Sequence, residues 1–248
     1  MEAPLFSLVI LVSKERHLLP LTLDTLKLQS GSFEVVLLNG AKGHFGDLAH
    51  RYPQLSIRVQ EASSRNLAEM MNEGVHLAQG KYIQFLEPGD RYISQHGLAY
   101  LEELIQKNGT PHLIYFKSSL MRGGNGIPRP VYLDLEHLQK GTAAVSPWFL
   151  KEKVVEAGGF DRRLLLRPTL DLLCRLFRLG VQVISSPRVL TDFEPHQIGA
   201  FGYTRETCRI LYRHFGLWSA FKWMFVQDHS QAFNKTAQFL KQAFWKDD

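Results

Sequence analysis

The chain has 248 residues, 45% of them apolar, and a formal net charge of +5, so it can bury the core of one large α/β domain. Two cysteines, Cys174 and Cys208, are too few and too far apart for a disulfide framework or a zinc site, which favours a reducing, cytoplasmic setting. The N-terminal apolar run is too short to span a bilayer and lacks the basic flank of a signal peptide. The positive charge favours anionic partners such as phosphorylated ligands, nucleic acid or lipid headgroups, although an ordinary solvated basic surface carries it equally well.

The first half of the chain alternates apolar, β-branched runs with segments of helical spacing. The predicted elements are strands at 6–12, 33–38, 55–59, 82–86 and 112–116, and helices at 18–28, 66–78 and 95–106. This order predicts βαβ units and a mainly parallel sheet. Ligands of such sheets bind outside the carboxyl ends of the strands, where Ser13, Asn39 and the stretch Glu87-Pro88-Gly89-Asp90 are expected.

The second half is less regular. The Gly-rich stretch MRGGNGIPRP at 121–130 lacks the glycine spacing of a phosphate-binding loop and favours a flap or a plain hairpin loop. A helix opened by Ser146-Pro147 is predicted at 146–157, a second at 170–179, and a strand at 181–184.

From residue 203 the pattern becomes helical, so we divide the chain into a main domain, 1–202, and a helical C-terminal extension, 203–248. Trp218, Trp223 and Trp245 fall in the extension among basic residues. Such a tail can lie in a membrane interface. The same aromatic residues can instead pack against the main domain or form a dimer, and the sequence leaves these alternatives open.

Three stretches together resemble a known family in the correct order. They are SSRNLAEMMNEGVHLAQGKYIQFLEPGD, LKEKVVEAGGFD and LDLLCRLFRLGVQVI. They resemble the conserved blocks of the family 2 glycosyltransferases over roughly residues 5–200. The resemblance implies the GT-A fold, a mixed, mainly parallel sheet flanked by helices, and a sugar transferred from a nucleotide-diphosphate sugar to a glycan or lipid-linked acceptor in bacterial-type surface glycan assembly.

The resemblance also implies which positions meet the donor. Ser13 falls in the segment after the first strand, and Asn39 falls where the family has an acidic turn at the nucleobase. Arg65 matches an arginine that approaches the nucleotide, although a surface arginine leading a helix would look the same. His196 falls where some members place a histidine near the diphosphate, but a lone histidine is more often unrelated to ligands.

Glu87 and Asp90 match the outer acidic positions of the motif that holds Mg²⁺ or Mn²⁺ in metal-dependent members, while Gly89 stands at the usual ligand position. The sequence Glu-Pro-Gly-Asp predicts a type II turn, which brings its ends within about 7 Å of each other. The two carboxylates could therefore converge on one cation and the donor diphosphate, or could cap the turn and touch no ligand.

The acid pair that supplies the family's catalytic base falls on Pro168-Thr169 in this chain. Asp171 lies half a helical turn later and is the candidate replacement. The alternative is a solvated carboxylate, or one at the helix N-terminus that is stabilised by the helix dipole.

These observations predict a nucleotide-sugar glycosyltransferase that is cytoplasmic and peripheral at the inner membrane face if its tail binds lipid. The altered metal and base motifs keep a second hypothesis open, a catalytically inactive member that serves as a binding or interaction module. Nucleic-acid binding is not expected, because bulky apolar residues dilute the basic ones in the tail.

Overall fold

The computed structural model describes residues 3–13, 15–41, 45, 47–122, 125–129, 133–141, 146–193 and 200–224. The strands are β1 (Phe6–Val12), β2 (Phe33–Asn39), β3 (Ile57–Glu61), β4 (Tyr82–Leu86), β5 (Arg91–Tyr92), β6 (Leu113–Arg122), β7 (Asn125–Arg129), β8 (Trp148–Leu150) and β9 (Val183–Phe193). The α-helices are α1 (Leu19–Leu26), α2 (Leu48–Arg51), α3 (Leu67–Leu77), α4 (Gly97–Asn108), α5 (Leu135–Gln139), α6 (Lys151–Glu156), α7 (Pro168–Arg178) and α8 (Ala200–Phe215), and residues 217–224 are helical and are called α9.

The strands form one mixed sheet in the order β3-β2-β1-β4-β8-β6-β9-β5, with β7 paired to β6. The pairs among β1 to β4 and the pair β6–β9 are parallel. Strand β8 runs antiparallel to both of its neighbours, and the β6–β7 and β5–β9 pairs are also antiparallel. The prediction of a mixed, mainly parallel sheet flanked by helices is confirmed.

Alternate residues of β1 enter two separate cores. Leu8 and Ile10 pack in one core with residues of α1 and α4, whereas Val9 and Leu11 pack in the other with residues of α3 and α7. This follows from the two-residue period of a strand, whose successive side chains point to opposite faces of the sheet. Burial on both faces accounts for the continuous apolar run that predicted this strand.

The segment after Ser146 differs from its prediction. Instead of one helix over 146–157, the chain forms the short strand β8 and only then the helix α6. Trp148 and Phe149 are buried in the two different cores, and the strand fills the space between β4 and β6. Hydrogen bonding of this segment to β4 and β6 therefore outweighs the local helix signal of the Ser-Pro pair.

The C-terminal helices attach to the main body. Helix α8 begins at Ala200, so it crosses the predicted boundary between residues 202 and 203, and its Ile210 lies in the core that contains α3 and α7. No helix within the described ranges is long and apolar enough to cross a membrane. The Gly-rich stretch contributes the antiparallel pair β6–β7, in agreement with a plain hairpin.

Candidate functional site

The carboxyl ends of the parallel strands bring several of the predicted residues to one edge of the sheet. Val12, Asn39 and Glu61 are the last residues of β1, β2 and β3, and they are register partners in one row. Ser13 follows directly and is exposed. Strand β4 ends at Leu86, whose register partner is Ile10, two residues before the end of β1. The turn that follows β4 therefore begins just before this row along the strand direction.

Asn39 holds a carboxylate at this edge. It is only 2% exposed, and its Nδ2 donates to both carboxylate oxygens of Glu61, at 2.9 and 3.0 Å. Glu61 itself is exposed. A carboxylate has about four lone-pair sites, so Glu61 can accept further hydrogen bonds from a ligand while the amide fixes its orientation.

The Glu87-Pro88-Gly89-Asp90 stretch forms the predicted tight turn. The Asp90 amide donates to the Glu87 carbonyl at 3.1 Å, and Gly89 has φ = +103°, as the third position of a type II turn requires. The Gly89 amide also donates to Oγ1 of Thr22 on α1, at 2.9 Å. The turn is therefore fixed both internally and by a neighbouring helix.

The Asp90 side chain caps this turn. Its side chain is buried, and its Oδ2 accepts the Glu87 amide at 2.8 Å. Glu87 is partly exposed. Of the two alternatives predicted for this pair, turn capping is the one that the Asp90 geometry shows.

The turn does not build a metal site of the kind that the resemblance implies. Within the described ranges, no three or more His, Cys, Asp or Glu side chains form a group that could hold a metal ion. Mg²⁺ is commonly held by one or two carboxylates together with phosphate oxygens of the substrate. Asp90 is buried in the turn and Gly89 stands at the usual ligand position, so Glu87 is the one carboxylate of the pair that is partly exposed, and we derive no chemical step through a metal.

Exposed cations lie beside the same edge, where β3 leads into α3. Asn66 caps α3 by accepting the Ala68 amide at 2.9 Å, and its Nδ2 donates to the Arg162 carbonyl at 2.8 Å. Arg65, next to the cap, and Arg162 are both exposed, and neither forms an ion pair within the described part of the chain. Two guanidinium groups are therefore available to an anionic ligand.

The loop that carries Arg162 is rigidly attached to α3. Asn72 donates to the Phe160 carbonyl and accepts the Phe160 amide, both at 2.8 Å. Arg163 forms two hydrogen bonds to Asp161, at 2.9 and 2.8 Å, and the bond from Arg163 is the main reason why the pKa of the Asp161 carboxyl lies below its usual range. Arg163 is thus committed to Asp161, whereas Arg162 is not.

Asp171 lies in a buried cluster of charges. It is 0% exposed, its Oδ2 accepts from Arg175 Nε at 2.9 Å, and its Oδ1 accepts from His214 Nε2 at 2.8 Å and Arg213 Nη1 at 3.2 Å. Burial acts to raise the pKa of this carboxyl, but the His214 hydrogen bond and the charge of Arg175 outweigh it and lower the pKa. Because Asp171 is buried, the alternative of a solvated carboxylate does not apply, whereas that of a carboxylate at a helix N-terminus does, since Asp171 lies in the first turn of α7.

Helix α8 brings a different carboxylate to the start of α7. Glu206 is partly exposed and accepts the backbone amides of Leu165, Leu166 and Arg167, at 2.7, 2.9 and 2.9 Å. These amides immediately precede Pro168–Thr169, the positions that match the family's acid pair. Glu206 therefore fixes the loop directly before the two positions at which this chain lacks the family's acidic side chains.

Two of the site's groups were missed by sequence reasoning, and one predicted residue lies outside the described residues. Glu61 was missed because β3 was predicted to end at residue 59, two positions before the row at the sheet edge. Glu206 was missed because only folding brings α8 to α7. His196 lies in the range 194–199, outside the residues that the structure describes.

A cleft of about 370 Å³ lies at the start of α1, beside Phe45 and α2. Its two arginines are engaged within the protein: Arg16 lies over the Phe45 ring at 4.1 Å, and Arg51 pairs with Asp47 at 3.1 Å. The arginines of this cleft are therefore less available to an anionic ligand than Arg65 and Arg162.

Among curated proteins, the chain is similar in sequence to glycosyltransferases. The chain is 31% identical over 120 residues to a PGL/p-HBAD biosynthesis glycosyltransferase of Mycobacterium tuberculosis, a match that covers 46% of this chain and 47% of that protein. It is 25% identical over 231 residues to the amylovoran biosynthesis glycosyltransferase AmsB of Erwinia amylovora, covering 86% of this chain and 76% of AmsB. The match thus spans about half the length of the mycobacterial relatives, and no protein-family model matches the chain.

Solved structures that bind nucleotides or nucleotide sugars share the fold. TarS of S. aureus in complex with UDP superposes with a TM-score of 0.68 at 14% identity, over 84% of this chain and 64% of that chain. The mannosyltransferase PcManGT of Pyrobaculum calidifontis, in complex with GDP-Man and Mn²⁺, gives a TM-score of 0.60 at 16% identity, over 99% of this chain and 82% of that chain. The chain therefore has a GT-A-like glycosyltransferase fold.

Proposed function

We propose that this chain is a glycosyltransferase, similar to family 2, that moves a sugar from a nucleotide-diphosphate sugar to a glycan or lipid-linked acceptor in surface glycan assembly. The proposal is carried by one arrangement, an oriented carboxylate and two exposed guanidinium groups at the carboxyl edge of a GT-A-like sheet. The relatives named as glycosyltransferases of PGL/p-HBAD and amylovoran biosynthesis support the same class of reaction.

In this proposal the nucleobase binds at the Asn39–Glu61 pair. Uracil and guanine both present N–H donors, and an exposed carboxylate held by an amide is a suitable acceptor for them. Asn39 alone cannot supply a carboxylate, so Glu61 takes over that chemistry from the neighbouring strand. Ser13, exposed in the adjacent connection, completes the predicted contact surface.

The diphosphate binds near Arg65 and Arg162. As the bond between the sugar and the diphosphate breaks, negative charge builds up on the leaving diphosphate, and fixed cations beside it lower the energy of the transition state. Arginine suits this role because its planar guanidinium presents paired donors to phosphate oxygens. Glu87 lies in the turn at the end of β4 and is the remaining candidate for contact with the donor.

The test is a calorimetric titration of the full chain with a panel of UDP- and GDP-sugars. We expect saturable binding to at least one of them, and we expect Arg65→Ala combined with Arg162→Ala to weaken it at least about tenfold, because charged hydrogen bonds contribute roughly 1.5–3 kcal/mol each. Arg188→Ala is the matched control, since Arg188 is exposed on β9 and stacks on Tyr100. Absence of binding across the panel would refute the proposal.

A second candidate function is a non-catalytic module that binds the donor or an interaction partner. It is favoured by the burial of Asp171 and by Pro168–Thr169 at the positions of the family's acid pair. The two candidates separate in one further assay, the release of nucleoside diphosphate from the bound donor over time. A transferase releases it slowly by transfer to water even without its acceptor, whereas a module binds the donor and leaves it intact.

A further inference from the structure

The outer face of α9 is unusually apolar. Leu217 and Trp218 are 72% and 74% exposed, and Phe221 and Met224 are 44% and 43% exposed. Residues at these spacings lie on one side of a helix. The Trp218 and Phe221 rings stack at 6.0 Å, and Tyr212, near the end of α8, is a further exposed aromatic residue.

The opposite face of α9 already packs against the protein. Ala220 and Trp223 are buried with Leu211 of α8, and the Ser219 hydroxyl accepts a hydrogen bond from Gln139 of α5 at 3.0 Å. Core packing therefore fixes the helix but involves only two of its six apolar residues, Ala220 and Trp223. The other four, Leu217, Trp218, Phe221 and Met224, face outward and are exposed.

The charges around this surface are mostly positive. Arg205, Arg209 and Lys222 are exposed on α8 and α9. Glu206 is the one acidic residue of the range 200–224, and it accepts three backbone amides. The exposed side chains of α8 and α9 thus combine apolar groups with cations.

We propose that this surface, formed by Tyr212, Leu217, Trp218, Phe221 and Met224 with the flanking cations, docks on an anionic membrane surface. Aromatic and aliphatic side chains on one helical face enter the boundary between headgroups and acyl chains, while basic residues are attracted to anionic lipids. Tryptophan is favoured at such boundaries because its ring is apolar and its N–H is polar. The inference does not depend on glycosyl transfer, since it concerns a different surface.

The test is co-sedimentation of the full chain with vesicles of phosphatidylcholine alone and of phosphatidylcholine mixed with phosphatidylglycerol. We expect the chain to sediment with the mixed vesicles and less with the neutral ones, and added salt should weaken the binding. Leu217→Ser with Trp218→Ser should reduce binding at least about tenfold, because two exposed apolar side chains lose their burial in lipid. Arg209→Ser with Lys222→Ser should reduce it about fivefold for each removed charge.

The matched control is Leu28→Ser with Val155→Ser, which removes two apolar side chains that are about as exposed elsewhere, and it should bind vesicles like the unmodified chain. Thermal melting should be unchanged in the Leu217/Trp218 variant. The inference is overturned if the unmodified chain does not sediment with anionic vesicles. Two further measurements would then show what the surface does instead. A dimer in light scattering that this variant abolishes would assign the surface to a second copy, and a lowered melting temperature would assign it to packing within the chain.

Discussion

Two regions of this molecule contain carboxylates next to arginines, and the two regions differ in how far these charges are exposed to solvent. At the sheet edge, Glu61 is exposed and oriented by Asn39, with Arg65 exposed nearby. Between α7 and α8, Asp171 is fully buried and its charge is balanced by Arg175 and neighbouring basic groups. A charge that solvent can reach is available to a ligand, whereas a buried charge must be matched within the protein, so exposure distinguishes a binding site from a structural cluster.

The largest expected effect is on stability, from Asp171→Ala. This change leaves the side chains of Arg175 and His214 without their carboxylate partner in a buried setting, and removing one partner of such a cluster costs about 3–5 kcal/mol. Urea unfolding of the full chain measures it. A loss below about 1 kcal/mol would mean that the cluster is not structural and would restore a functional reading of Asp171.

The same cluster predicts an acid-sensitive fold. Because the pKa of Asp171 is lower in the folded chain than the unfolded value of about 3.9, its contribution to stability is present above about pH 4 and is lost as pH falls through the folded pKa. The urea midpoint should therefore drop on acidification, with a shallower drop in Asp171→Asn. Asp24→Asn, in an exposed pair with Lys27, is the control and should leave the slope unchanged.

Glu206 fixes the loop that leads from Arg162 to α7. Glu206→Ala removes the acceptor of three backbone amides, and we expect a loss of about 1–3 kcal/mol in the free energy of unfolding. Glu206→Gln keeps a carbonyl acceptor and should lose less. A loss below about 0.5 kcal/mol in Glu206→Ala would show that these hydrogen bonds do not stabilise the loop.

For Glu61 the comparison predicts the reverse of Asp171. Glu61→Gln should leave the free energy of unfolding within about 0.5 kcal/mol, because the residue is exposed and its amide oxygen can still accept the hydrogen bond from the buried Asn39. It should weaken nucleotide binding about tenfold in calorimetry, through the loss of one charge-assisted hydrogen bond. A stability loss without a binding loss would move Glu61 to the structural class.

The smallest expected effect is that of metal. With Asp90 buried in its turn, Mn²⁺ should change donor affinity less than about threefold, compared in calorimetry with and without a chelator. An increase of tenfold or more that disappears in Glu87→Ala would show that donor binding reorganises the turn into a cation site.

Local patterns were sufficient for most of the first half of the fold. The strands β1, β2 and β4 and the helix α3 were predicted nearly to their ends, because burial on both faces and helical spacing leave direct traces in sequence. The prediction failed at β8, where three residues complete a ladder between β4 and β6. Too few residues are involved for periodicity to identify them.

For the site, the sequence by itself determined that Ser13, Asn39 and the Glu87–Asp90 turn lie at the carboxyl edge, since parallel strands align their ends. It also determined the turn type, which depends on adjacent Pro and Gly residues. Only the tertiary structure decided that Asn39 orients Glu61, that Asp90 caps its own turn, and that Asp171 is closed off by α8. These features depend on which residues far apart in the chain become neighbours and on how exposed they are to water. The spacing of residues along the sequence determines neither.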